Sequence, residues 1–210
     1  MEDIFDLSVS KKEQDFIRLG TNLELEVSAD ILETFCDVPY IGSLIKIGRI
    51  AYRFQDLHFI KKVAKFLGKE QDIPEEEKEN FLNGLDAKKR KKMYEYLTHY
   101  LLRAEDDAKA DIMGYIYKER VYGRIDDEMF LRLCSIVDKV FVNDLKHLSR
   151  YVKLNSESDY ITNNLYSCGL LDYETGSVHE ETVNLGGEYI LNAVGKRLYD
   201  ILISERWLEK

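Results

Sequence analysis

The 210-residue chain is 45% hydrophobic and 33% charged and holds two prolines, which excludes a disordered or fibrous protein and predicts one sizeable folded domain with a smaller appendage. Its formal net charge of -9 is segregated: residues 1–38 carry ten acidic and three basic side chains, residues 39–154 nineteen and twenty-three, and residues 155–210 ten and four. An acidic terminus is therefore available to cover the basic middle, either as a permanent solubilising contact or as one that a partner displaces. Cys36, Cys134 and Cys168 lie far apart in apolar surroundings, which predicts reduced core thiols in a cytoplasmic protein rather than a disulfide framework.

The N-terminal MEDIFDLSVS has neither a basic n-region nor an apolar h-region, so no signal peptide is expected, and no stretch approaches the length of a simple transmembrane span. From Ser10 to Phe35 apolar residues recur near helical intervals, predicting one or two amphipathic helices with Ser28 placed to cap a restart. Pro39 then opens the most apolar part of the chain. Taking Lys46 as origin, Arg49 and Arg53 fall within about 60° of it, while Ile41, Leu44, Ile47, Ile50 and Phe54 belong to an apolar arc of roughly 220°. So wide an arc predicts a central helix surrounded by others. The same stretch, Pro39 to Phe66, holds six basic residues and one acidic, which supports an alternative as an interfacial membrane helix.

Gly68 to Glu77 reads as a hinge, with Pro74 and three glutamates starting a new helix and Asp86 capping the one after it. That next helix begins with five consecutive basic residues, Lys88, Lys89, Arg90, Lys91 and Lys92, which oppose the helix dipole. Glu75, Glu76, Glu77 and Glu79 are the expected counter-charges, and an anionic partner is the alternative. Lys46, Arg49, Arg53 and these five residues form the candidate interaction surface.

Glu105 to Leu148 reads as a helical hairpin around which the chain is organised, with Gly123 ending one helix in the left-handed conformation and Asp126 capping the next. Phe130, Leu133, Cys134, Val137, Phe141, Leu145 and Leu148 share one side of a continuous second helix and are expected to be buried against Ala108, Ile112, Tyr115 and Ile116 of the first. Asp106, Asp107 and Asp111, the densest carboxylate cluster, are read as complementing the dipole of that first helix.

Beyond Ser156 the pattern changes. Tyr160 to Ser167 predicts a short helix ended by Gly169, Leu170 to Tyr173 and Glu188 to Leu191 two strands, and Ala193 to Arg206 a final helix. The words NNLYSCGLLDYETGS and GGEYILNAVGKRLYDIL resemble the second half of a winged-helix module over about 45 residues. PYIGSLIKIGRIAYRF, KKVAKFL and KADIMGYIYKERVYGRIDDEMFLRLCSIVDKVFVNDLKHL are similar to a loose group of uncharacterised bacterial and prophage helical proteins, some linked to abortive infection, and the hairpin also resembles tellurite-resistance B-like domains. These resemblances imply a mainly α multi-helix bundle over residues 1–150 and a winged-helix-like α/β module over residues 151–210. They also imply a phage-defence or prophage setting.

The would-be recognition helix, DYITNNLYSC, has no Lys or Arg, so the phosphate neutralisation that DNA binding requires is missing. No phosphate loop, dinucleotide-binding fingerprint, zinc-protease motif, serine elbow or CxxC is present, and His58, His99, His147 and His179 are dispersed. The expected function is therefore non-enzymatic protein binding as an adaptor, with a protein partner or self-association and neither metal nor cofactor. The alternatives are a membrane-active effector using residues 39–66 and a winged-helix DNA-binding regulator.

Overall fold

The computed structural model describes residues 11–12, 14–18, 42, 57–69, 72–175 and 187–209. Most of the expectations for residues 10–56 lie outside the described residues, including the apolar arc and the candidate Lys46, Arg49 and Arg53. The described chain is mainly helical with a two-stranded antiparallel sheet, and it divides into two compact units, Met1–Ile125 and Asp126–Lys210.

In the first unit Gly68 ends α1 (Leu57–Gly68), Pro74 precedes α2 (Glu75–Asn83), and Asp86 caps α3 (Ala87–Arg103) by accepting from the Lys89 amide at 2.7 Å. Asp106 caps α4 (Asp107–Val121) through the Ala108 amide at 2.8 Å. This last helix is the centre of the unit: Ala110, Ile112, Met113, Gly114, Tyr115, Ile116 and Tyr117 are all buried, so it is covered nearly all round. It packs mainly on α1, and Gly114 makes their approach possible, because a Cβ there would lie 2.7 Å from the Phe66 carbonyl oxygen.

The flank of this contact is ionic. Lys61 and Lys65 on α1 and Lys69 just beyond it recur every four residues and meet Asp107 and Asp111, four apart on α4: Lys61–Asp107 is 2.6 Å, Lys65–Asp107 3.8 Å and Lys69–Asp111 3.2 Å. Because the paired numbers rise together, the two helices run in the same direction. Burial opposes the charge on Lys69, but Asp111 and Tyr115 outweigh it and raise the ammonium above its usual pKa.

The turn after α4 ends as the sequence predicts, with Gly123 at φ 66° and the Arg124 amide reaching back to the Glu119 carbonyl at 3.0 Å. The boundary between the two compact units falls here, between Ile125 and Asp126. In the second unit α5 (Asp127–Lys139) and the segment after it share a core with the sheet and the last helix.

The predicted continuous helix to Leu148 does not form. α5 stops at Lys139, Val140 and Phe141 are extended, and a 3-10 helix covers Val142–Tyr151. β-branched residues at 136, 137, 140 and 142 weaken the helical preference. The extended pair buries Val140 and Val142 while turning Phe141 outward, 61% exposed, so the expectation that Phe141 is core is corrected. Val142, Leu145, Leu148 and Tyr151, each three apart, then align on one ridge of a three-residue-per-turn helix, and all four are buried.

Asp159 caps α6 (Tyr160–Ser167) in a capping box with Thr162, whose hydroxyl also shares a 2.8 Å hydrogen bond with the buried Tyr151 hydroxyl. The Thr162 backbone amide, helped by the Thr162 hydroxyl and Arg150, holds the Asp159 carboxyl below its usual pKa despite an opposing effect of burial. Asp159→Ala is expected to lower stability by about 1 kcal/mol at neutral pH. Since the folded-state pKa is the lower one, this contribution is fully present above the unfolded value of about 3.9 and disappears as pH falls through the folded value. Urea denaturation of both proteins across the acid range should show their difference shrinking below about pH 4.

Gly169, at φ 80°, turns the chain into β1 (Leu171–Thr175), which pairs antiparallel with β2 (Gly187–Leu191) so that Tyr173 faces Tyr189 and Glu174 faces Glu188. Asn155 bridges the other side of β2 at Tyr189. Asn192 caps α7 (Ala193–Ser204) through the Gly195 amide at 2.8 Å, and a short 3-10 turn, Trp207–Glu209, closes the unit. Its core includes Leu133, Val137, Leu145, Leu165, Leu198 and Leu202.

Candidate functional site

The basic run sits on the first two turns of α3. Lys88, Lys89, Lys91 and Lys92 are exposed, whereas Arg90 turns inward and donates from Nη2 to the Leu82 carbonyl at 2.6 Å. Arg90 therefore ties the start of α3 to the end of α2 and does not belong with the surface lysines. Glu76, Glu77 and Glu79 make no ion pair with this run among the described residues. Lys91 reaches Glu95 one turn on at 3.8 Å, and the Lys92 ammonium lies 5.6 Å from the Tyr96 ring centre. Lys88, Lys91, Lys92, Glu95, Tyr96 and His99 line a shallow depression of about 600 Å³. Exposed lysines with one aromatic ring make a surface able to meet an anion, but their long side chains are not held in place by any buried group.

A second surface, which the sequence reading missed, lies on the C-terminal unit. The large hydrophobic side chains that are exposed among the described residues are Phe141, Val152, Leu154, Tyr160, Tyr166, Tyr173 and Ile203, and all belong to this unit. Tyr160 is 78% exposed at the first position of α6. Tyr166, Tyr189 and Tyr173 form a row from α6 across both strands, with ring centres 5.6 Å and 5.0 Å apart. The row is held at its end by the Gly187 amide, which donates to the Tyr173 hydroxyl at 2.9 Å, and Gly187 is the residue over which the Tyr173 ring lies.

The opposite face of the hairpin is acidic. Asp172, Glu174 and Glu188 share that face, and Glu174 lies directly across from Glu188, a like-charge pairing that disfavours the sheet. None of the three forms an ion pair among the described residues. The signal in the sequence was the alternation of Asp172, Tyr173, Glu174 in a strand whose partner carries Glu188 and Tyr189 at matching positions.

Inside the unit the polar groups are satisfied. Buried Asp144 accepts from Asn164 Nδ2 at 2.6 Å, and the Cys168 thiol donates to Asn164 Oδ1 at 3.6 Å. Burial pushes the Cys134 thiol far above its usual pKa, which leaves it protonated and unreactive. Among the described residues no group of three or more His, Cys, Asp or Glu is placed to hold a metal ion, and no helix is long and apolar enough to cross a membrane. Set against family models, curated proteins and solved structures, the chain matches none of them.

Proposed function

We propose that this is a non-enzymatic adaptor that binds another protein through its C-terminal unit. The observation that carries the reading is that, among the described residues, the exposed large hydrophobic side chains all fall within residues 141–203, because exposed apolar groups gathered on one unit mark a surface that another molecule covers. Aromatic side chains suit that role, since they offer large contact area with little rotamer freedom to lose. The order of α6, β1, β2 and α7, with Asn155 outside β2, supports a winged-helix-like module used for protein contact. Its acidic hairpin and the lack of Lys or Arg on α6 weigh against DNA. A bacterial phage-defence setting belongs to this proposal through the resemblance of the helical segments, and a cytoplasmic location through the dispersed cysteines Cys36, Cys134 and Cys168. The membrane-active alternative is weakened, because Lys61 and Lys65 are engaged by Asp107 and are not free for lipid headgroups.

The test is affinity capture from the source cells with the wild-type chain and a Phe141→Ser/Tyr160→Ser variant. Both positions are exposed, so the variant should keep the wild-type melting temperature within a few degrees. It should retain less than about a tenth of the captured partner. Equal capture by the two proteins would remove the reading.

A further inference from the structure

Among the described residues, nothing pairs with one edge of the hairpin that carries the tyrosine row. The Asn155 amide donates to the Tyr189 carbonyl at 3.0 Å, and the Tyr189 amide donates back to Asn155 at 2.8 Å. Both polar backbone groups of Tyr189 therefore point away from β1. In an antiparallel ladder the residue opposite must then be a non-hydrogen-bonded partner, so the amide and carbonyl of Tyr173, and by alternation those of Thr175, point out of the sheet on the far side. Asp172, Tyr173, Glu174 and Thr175 are all exposed. Among the described residues no strand pairs with this edge.

We propose that β1 receives an extended, basic segment of a partner protein as a third strand, with Lys or Arg at alternate positions and apolar residues between them. This rests on the adaptor reading and names the partner's chemistry. Period-two alternation in the incoming strand places every second side chain on the face of Asp172, Glu174 and Glu188, where cations would relieve the Glu174–Glu188 repulsion. The intervening residues fall on the other face beside Tyr173 and the tyrosine row. Tyr173 and Thr175 supply the main-chain hydrogen bonds. A second copy of this chain is a poor occupant: antiparallel pairing of two β1 edges about Tyr173 would set Asp172 of each copy opposite Glu174 of the other. The acidic side chains thus guard the edge against its own kind while admitting a basic strand.

The full-length chain, labelled with nitrogen-15, is titrated with an alternating Lys-Val peptide of about seven residues, long enough to span a typical strand. Two control peptides replace every lysine by glutamate or every valine by proline. The expected result is slowed hydrogen exchange at the Tyr173 and Thr175 amides and binding that weakens with salt. Each control peptide should bind at least about tenfold more weakly, the loss of roughly one or two net hydrogen bonds or charge contacts. Asp172→Lys/Glu174→Lys should invert the preference toward the glutamate peptide. Thr175→Pro, which removes one outward amide from an edge position, should weaken the Lys-Val peptide about tenfold with little change in melting temperature. No binding, equal binding of the proline peptide, or exchange protection elsewhere on the chain would overturn strand addition, as would edge protection that appears without peptide as protein concentration rises. Capture from cells separates the two ideas. If Thr175→Pro captures like wild type while Phe141→Ser/Tyr160→Ser does not, strand addition fails and the adaptor reading stands; if both variants capture like wild type, both fail.

Discussion

Replacing Gly195 with alanine is expected to destabilise the C-terminal unit by about 3 kcal/mol or more, enough to unfold a marginal domain. An added Cβ would overlap the Leu170 carbonyl oxygen, which is backbone and already occupied as the acceptor for the Asn192 amide at 3.2 Å. Leu170 is fixed from the other side as well, since its own amide donates to the Leu165 carbonyl at 3.1 Å. The gain of about 1 kcal/mol from exchanging glycine for alanine inside a helix is too small to offset that clash. Trp207 is the single tryptophan of the chain and is buried in the same unit, so its fluorescence during urea denaturation reads the effect directly. Lys196→Ala, at the next and exposed position, serves as the control and should change stability by less than about 0.5 kcal/mol. A Gly195→Ala protein with the wild-type midpoint would show that α7 can move off Leu170 freely.

Gly114→Val is expected to destabilise the N-terminal unit by about 2–4 kcal/mol. The Phe66 carbonyl oxygen would lie 2.7 Å, and Lys69 Cβ 2.9 Å, from the new Cβ, and valine adds two methyl groups beyond it. The consequence is separation of α1 from α4, which also lengthens the Lys61–Asp107 and Lys69–Asp111 ion pairs. Gly114→Ala should be milder, because the overlap is smaller and helix propensity returns about 1 kcal/mol. Calorimetry or far-ultraviolet circular dichroism of the three proteins should rank them glycine, alanine, valine in falling midpoint.

These two glycines also mark where the sequence could and could not be read. The starts of α3 and α5 were legible, because Asp86 and Asp126 act through their own side chains on amides three residues away, whereas the caps Asp159 and Asn192 and the stop of α5 at Lys139 were not read. Gly123 and Gly169 were legible for the same local reason, the left-handed turn. Gly114 was not, since what it accommodates is a backbone segment 48 positions earlier in the chain. The sequence reading gave α4 one apolar side, Ala108, Ile112, Tyr115 and Ile116, although its apolar residues are spread around the axis and the helix is buried almost all round. The cluster Asp106, Asp107 and Asp111 was understood only in part: Asp106 caps and Asp107 sits in the first turn, but Asp107 and Asp111 also receive Lys61, Lys65 and Lys69. The candidate surface fared unevenly. Lys88, Lys89, Lys91 and Lys92 are exposed as a charged run must be, while Arg90 falls on the inner side, a matter of helix phase that composition does not reveal. The tyrosine row was hidden because it is assembled from three elements, α6, β1 and β2, whose register only the folded chain defines.

The 3-10 helix from Val142 to Tyr151 sets a rule about length. Each residue there advances the chain by about 120°, so one inserted or deleted residue would carry every later side chain a third of a turn away from the interior. Leu145 could be exchanged for methionine or isoleucine at modest loss, but an added alanine after Asn143 would send Leu145, Leu148 and Tyr151 to the wrong side together. Drift in this segment is thus confined to swaps of like for like, with the number of residues held constant.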